Sequence, residues 1–160
     1  MKAAPAILIY GYGNPGREDD GAGIVLAGQI EAAALPGVTI DTNYQLNIED
    51  ALVLKDYDLV VFADASKNPV DQFLFRRLKP SPSLSYTTHA MHPEAVLALC
   101  LQVYHIVPPT YLLEIAGTSY ELHEGLTPAA ARNTAAAVQF MLELLHSPTL
   151  ARFEAAAAAT

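Results

Sequence analysis

Cysteine is almost missing from this 160-residue chain. The one residue, Cys100, leaves no internal disulfide to brace the fold. Its apolar neighbours Leu99 and Leu101 predict a buried thiol, and a reducing compartment fits that usage. Basic residues are scarce too: nine Lys plus Arg stand against 17 Asp plus Glu, a formal net charge of -8. A surface of that sign repels phosphate backbones, so no nucleic-acid partner is expected. Nowhere do 18 apolar residues follow one another, which excludes a membrane-spanning helix of the usual kind. Residues 1–5 run directly into a strand-like segment without a separate apolar stretch of signal-peptide type. The expectation is a cytoplasmic protein with no membrane insertion. The sequence also lacks a fixed-period repeat, an HExxH motif and paired CxxC motifs.

What is present suits one globular domain. Hydrophobic residues make up 52 % and charged residues 16 %, well away from disorder. A chain of this size buries about 70 % of the surface its unfolded form exposes, so no second core is needed. The reading places a single domain over residues 1–150. Residues 151–160, with Glu154 followed by five alanines, are expected to form a frayed tail.

Apolar runs alternate with helical patterns along the chain. Residues 6–10, Ala-Ile-Leu-Ile-Tyr, predict a buried first strand, and residues 23–34 a helix ended by Leu35-Pro36-Gly37. A second strand is expected over 38–42. A short helix follows, with Asn47 and Asp50 three residues on as its N-cap start and Ala51 to Leu54 as its apolar face. Residues 58–64, apolar until the closing acid, predict a central strand buried on both faces. From Lys67 to Ser83 three prolines predict an irregular excursion with one strand through 72–75, and 84–88 is a strand or a loop leading to His89. A helix should start at Pro93 and end before Pro108. A last core strand covers 111–117, and Thr127-Pro128 should open a final helix with a hydroxyl cap and a first-turn proline. Such alternation predicts a three-layer α/β/α sandwich on a mostly parallel twisted sheet.

The densest stretch follows the first strand: Gly11-Tyr12-Gly13-Asn14-Pro15-Gly16-Arg17-Glu18-Asp19-Asp20-Gly21. Glycine at 11, 13, 16 and 21 permits positive φ or close backbone approach. The three acids either meet the positive end of the next helix or send a carboxylate into a cleft at the strand's carboxyl end. Other strand ends carry chemistry as well: Tyr44-Gln45-Leu46 after the second, Asp64 at the central strand, His89 after 84–88. Parallel strands align these ends on one edge. Asp20, Asp64 and His89 would then offer two carboxylates and an imidazole, an open divalent-metal site with positions left for water or substrate. Each also has a plainer use: Asp64 in a turn, His89 and His92 as loop histidines, Gln45 tying down its loop.

Several of these residues resemble the motifs of the NiFe-hydrogenase maturation proteases. The family opening, Gly-x-Gly-Asn and then Asp-Asp-Gly-x-Gly, is similar to Gly11, Gly13, Asn14, Asp19, Asp20, Gly21 and Gly23. Phe62-Ala63-Asp64, His89, Glu114 to Gly117 and Gly125 to Pro128 extend the likeness to the last helix. The resemblance implies a phosphorylase/hydrolase-like fold. It implies an endopeptidase that removes the C-terminal extension of a hydrogenase large-subunit precursor after nickel insertion. It further implies that Asp20, Asp64 and His89 are the catalytic and metal-contacting residues, with His92 as the competing imidazole. The nickel would be substrate-borne, and another divalent metal could take its place in vitro.

Two other readings compete. One is a nucleotide- or peptide-binding module without protease activity, but Gly11-x-Gly13 lacks the third glycine of a dinucleotide fingerprint and the acids at 18–20 repel phosphate. The other is an esterase resembling peptidyl-tRNA hydrolase, whose opening is similar to Gly13-Asn14-Pro15-Gly16. This chain continues with Arg17-Glu18-Asp19-Asp20 where that family has Thr-Arg-His-Asn.

Overall fold

The apolar runs do become strands. In the computed structural model, which describes residues 4–69, 71–81 and 91–159, they are β1 (Ile7–Tyr12), β2 (Val38–Asn43), β3 (Leu59–Ser66), β4 (Phe73–Leu78) and β5 (Thr110–Ala116). They form one sheet in the order β2-β1-β3-β5-β4. β1 pairs in parallel with β2 and β3, and β3 in parallel with β5. β4 runs antiparallel to β5 at the edge, a common addition to an otherwise parallel sheet. The strand or loop expected over 84–88 lies outside the described residues.

Helices cover both faces. On one side α1 (Ala22–Ala32) and α4 (Pro128–His146) bury Leu26, Ile30, Ala137 and Met141 against the odd-numbered residues Ile7, Ile9, Val61, Ala63, Leu113 and Ile115. On the other, α2 (Asp50–Leu54) and α3 (Pro93–Tyr104) bury Leu54, Val96, Leu97 and Cys100 against Leu8, Tyr10, Val60, Phe62 and Leu112. Strands covered on both faces have no need of alternation, hence their continuous apolar runs. Each buried Leu, Ile or Phe contributes about 1.5–3 kcal/mol.

The helix boundaries follow local chemistry. Thr127 caps α4, its Oγ1 accepting from the Ala130 N–H at 3.2 Å, with Pro128 in the first turn. α3 starts at Pro93 and closes on His105 in the left-handed region. At the start of α2 the expected pair does meet, through the second residue: the Asn47 side chain does not cap, but the Asn47 backbone N–H donates to Asp50 Oδ2 at 2.7 Å, and Tyr10 donates its hydroxyl to Asp50 Oδ1 at 3.0 Å. A carboxylate takes charge-assisted bonds that an amide oxygen would take more weakly.

The expected tail is instead α5 (Leu150–Ala159). Phe153, 0 % exposed, inserts among Phe75 and Tyr111, with ring centroids 6.2 and 5.4 Å away. Glu154 accepts from the Tyr111 hydroxyl at 2.6 Å and pairs with Arg77 of β4. Arg152 donates to the carbonyls of Glu143, Leu144 and Ser147, satisfying acceptors that the end of α4 leaves open. Composition alone read the alanines and not these three anchors.

Two glycines set where the first turn can sit. A methyl on Gly11 would overlap the Gly23 carbonyl oxygen, and one on Gly23 would overlap that of Ala63. The start of α1 therefore rests directly on the backbones of β1 and β3, beside Asp64.

Candidate functional site

The turn between β1 and α1 spends its own donors. Gly13 N–H reaches Asn43 O at 3.1 Å, Asn14 N–H reaches Asp20 Oδ2 at 2.7 Å, and Gly16 N–H reaches Asn14 Oδ1 at 2.9 Å. The N–H groups of Arg17, Glu18, Asp19 and Asp20 also have backbone acceptors. A phosphate-binding turn needs such groups free and aimed at an anion, so this turn does not supply the nest that nucleotide binding requires.

The three consecutive acids do three different things, and none caps a helix through a side-chain hydrogen bond. Glu18, at φ +46°, accepts from Ser119 Oγ at 2.7 Å. Asp19 is 0 % exposed and accepts from the N–H groups of Thr118, Thr127 and Ser119 at 2.8, 2.8 and 3.1 Å, and from Thr127 Oγ1 at 2.9 Å. Burial opposes its charge, but these donors outweigh it and hold the carboxyl below the ordinary range. Asp20 is half-buried and receives the Asn14 N–H. The acid with the most partners, Asp19, is thus structural.

Asp64 sits near the carboxyl end of β3, half-buried, on the α3 side of the sheet. Its pKa is pushed up to about 7, first by burial and then by the negative charge of Asp20. The Ala65 N–H and the Tyr12 hydroxyl favour its charged form and pull the other way, and Glu114 adds a smaller push. Tyr12 in turn is held well above its ordinary pKa by burial, Asp64 and Glu94, so it stays a neutral donor. Glu114, opposite Asp64 in the β3–β5 register and 8 % exposed, accepts from Arg76 Nε at 3.3 Å. Arg76 also lies 3.9 Å from Glu94 in the first turn of α3. Much of the Glu114 charge is therefore answered locally, whereas Asp20 and Asp64 have no cation between them among the described residues.

The structure brings Asp20 and Asp64 within electrostatic reach of each other, as strand-end alignment predicts. His89 lies outside the described residues. His92 is exposed and stands just before α3. No group of three or more His, Cys, Asp and Glu that could hold a metal forms among the described residues. The pair alone fits a divalent cation in its chemistry: hard oxygen donors, like charges near enough to repel, and one carboxyl whose ionisation a positive charge would restore. At Gln45 the backbone carbonyl accepts from Asn47 Nδ2 at 3.4 Å.

Sequence reasoning missed Tyr12 and Tyr120. Tyr12 was legible by parity, since β1 and β3 run in register and place Tyr12, Phe62 and Asp64 on one face. Tyr120 had no such signal. Its hydroxyl is buried without a hydrogen-bond partner among the described residues, and its ring carries Lys67 Nζ at 4.9 Å.

No protein-family model matches the chain, and no curated protein matches it in sequence. Solved structures match it in fold. The hydrogenase maturating endopeptidase HybD of E. coli aligns with a TM-score of 0.69 at 23 % identity, over 89 % of this chain and 93 % of its own. The NiFe hydrogenase maturation protease HycI of Thermococcus kodakarensis gives 0.69 at 20 % identity, over 91 % and 96 %. An endopeptidase from Escherichia coli gives 0.71 at 24 % identity, over 89 % and 94 %. At such identities the likeness is one of architecture. Over 89–91 % of its length, this chain shares the fold of these hydrogenase maturation endopeptidases.

Proposed function

We propose that this chain is an endopeptidase that removes the C-terminal extension of a NiFe-hydrogenase large-subunit precursor, recognising nickel already seated in that substrate. Asp20, Asp64 and His89 are the residues assigned to contact the metal. The observation that carries the reading is the paired carboxylates at the strand ends: Asp64 is raised to about 7 by burial and by Asp20, leaving a site short of one positive charge. The shared fold supports it, and so do the motif residues from Gly11 to Gly23, which the fold uses to seat α1 on β3.

A metal arriving with the precursor would polarise the scissile carbonyl or activate a water. The chain's own part is to hold the ligands. Asn14 N–H fixes Asp20. Asp64 loses its proton as the metal approaches, because the cation reverses the repulsion that raised its pKa.

We place the protein in the cytoplasm. Cys100 is a buried free thiol donating to Ile106 O at 3.3 Å, in keeping with a reducing compartment. No helix among the described residues is long and apolar enough to cross a membrane.

Incubation with candidate large-subunit precursors, with and without nickel, followed by mass spectrometry, tests the reading. Cleavage only of nickel-loaded precursor is the expected result, abolished in Asp20→Ala, Asp64→Ala and His89→Ala. Undiminished cleavage by all three variants overturns it.

A further inference from the structure

A cavity of about 790 Å3 opens beside the ends of β3 and β5, within the range of about 300–1,000 Å3 usual for ligand sites. Lys67, the residue after β3, lines it together with Gly117 and Thr118 just past β5, Gln72 and Phe73 at the start of β4, and Asn133 of α4. Because β3 and β5 are parallel and β4 runs against them, these segments meet at the edge of the sheet that carries Asp64. Lys67 follows Asp64 by three residues, about 10 Å of extended chain. The cavity is also tied to the turn that bears Asp20: Thr118 N–H donates to Asp19 Oδ2 at 2.8 Å.

No carboxylate pairs with Lys67 among the described residues, although Asp71 lines the same cavity. With 17 acids to nine bases in the chain, a partner is easily supplied, and none is supplied here. The Lys67 ammonium lies instead over the Tyr120 ring, 4.9 Å from its centre. Tyr120 is held in turn by Arg17, whose Nε and Nη2 donate to its carbonyl at 3.4 and 3.3 Å. A ring face orients a cation without neutralising it, so the charge stays available to an anion. A phosphate suits the place poorly, because Asp71 and a net charge of -8 repel a doubly charged ligand. A single carboxylate on a peptide suits it better. Phe73 offers that peptide an apolar wall, and the Gln72 and Asn133 amides and the Thr118 hydroxyl offer polar partners for its main chain, with Asn133 oriented by donating Nδ2 to Ala116 O at 3.0 Å.

We propose that this cavity is a substrate subsite in which Lys67 pairs with a carboxylate of the precursor peptide, about three residues from the scissile bond. That carboxylate is an acidic side chain or the terminus of the chain itself. The proposal rests on the protease reading above, and the test separates the two. Lys67→Met keeps an apolar stem and removes the charge. Lys79→Met, just beyond β4 at the opposite edge of the sheet, changes the net charge equally and is the control.

Three synthetic probes are titrated into the free protein while the amide NMR signals of Gly117 and Thr118 are followed: an acetylated tetra-alanine with a free C-terminus, its C-terminal amide, and an amidated form with one internal glutamate. At least one carboxylate peptide should shift these signals saturably and the neutral amide should not; whichever binds names the source of the carboxylate. Lys67→Met should weaken that binding by about tenfold or more, and Lys79→Met by less than about twofold. In steady-state cleavage of nickel-loaded precursor, Lys67→Met should raise KM by about tenfold with kcat changed less than about twofold. Equal binding of the neutral peptide, no binding of either carboxylate peptide, or a KM in Lys67→Met equal to that in Lys79→Met overturns the proposal while leaving the protease reading intact. If the parent protein cleaves no precursor, the protease reading falls and the titration still decides: carboxylate binding lost in Lys67→Met alone supports a peptide subsite, and its absence overturns it.

Discussion

Asp19 and Thr127, 108 positions apart, are joined twice: the threonine N–H reaches Asp19 Oδ1 at 2.8 Å and its hydroxyl reaches Oδ2 at 2.9 Å. The same hydroxyl oxygen accepts from Ala130 N–H at the head of α4. One buried carboxylate thus connects the turn that carries Asp20 to the longest helix of the fold.

Replacing Asp19 by Asn should therefore cost about 3–5 kcal/mol at neutral pH, because several buried donors lose a charged acceptor together. The sign of its pH dependence follows from its lowered pKa. The stabilisation is fully present above the ordinary value of 3.8 and is lost as pH falls through the lower folded value. Urea unfolding of parent and variant across pH 2.5–7 should give curves that converge at the acid end; a constant gap would show that the charge is not what matters.

Asp64 should behave in the opposite sense. Its folded pKa is raised to about 7 from 3.8, so the folded state binds the extra proton and stability falls as pH rises between those values. Asp64→Asn removes that cost. In metal-free protein the variant should melt about 3–8 °C higher than the parent at pH 8, and close to it at pH 3.5, while losing cleavage activity. A lower melting temperature at pH 8 would contradict the electrostatic account.

Gly23→Ala tests how the site is spaced. The added methyl meets the Ala63 carbonyl, a backbone atom that cannot rotate away. The expected loss is about 3 kcal/mol of stability, together with reduced cleavage from displacement of the segment bearing Asp64. Gly28, on the same helix with nothing near its missing side chain, is the control, and Gly28→Ala should be neutral or slightly stabilising.

Phe153→Ala should cost about 3–5 kcal/mol by leaving a cavity against Phe75 and Tyr111, read from denaturant midpoints. An unchanged midpoint would mean that α5 contributes nothing to the core.

The sheet was legible because its strands are covered on both faces and so appear as unbroken apolar runs, β3 most plainly. That the turn after β1 lies beside the end of β3 was legible because parallel strands end on one edge, a rule that needs only element order. Other features depended on partners distant in the chain. Nothing near Asp19 announces that residues 118, 119 and 127 will converge on it, and its neighbour Asp20 is chemically identical in sequence. The helix over 150–159 escaped notice because its anchors, Phe153 and Glu154, find their counterparts on β4 and β5. The antiparallel course of β4 depends likewise on which edge of β5 is open, which local pattern does not encode.

The contact of Gly11 with Gly23 and of Gly23 with Ala63 is main chain against main chain, so the gap separating the two carboxylate-bearing segments is gauged by peptide thickness and not by the bulk of any interior residue. Interior residues are then free to drift, provided two small positions survive, and the working edge keeps its dimensions.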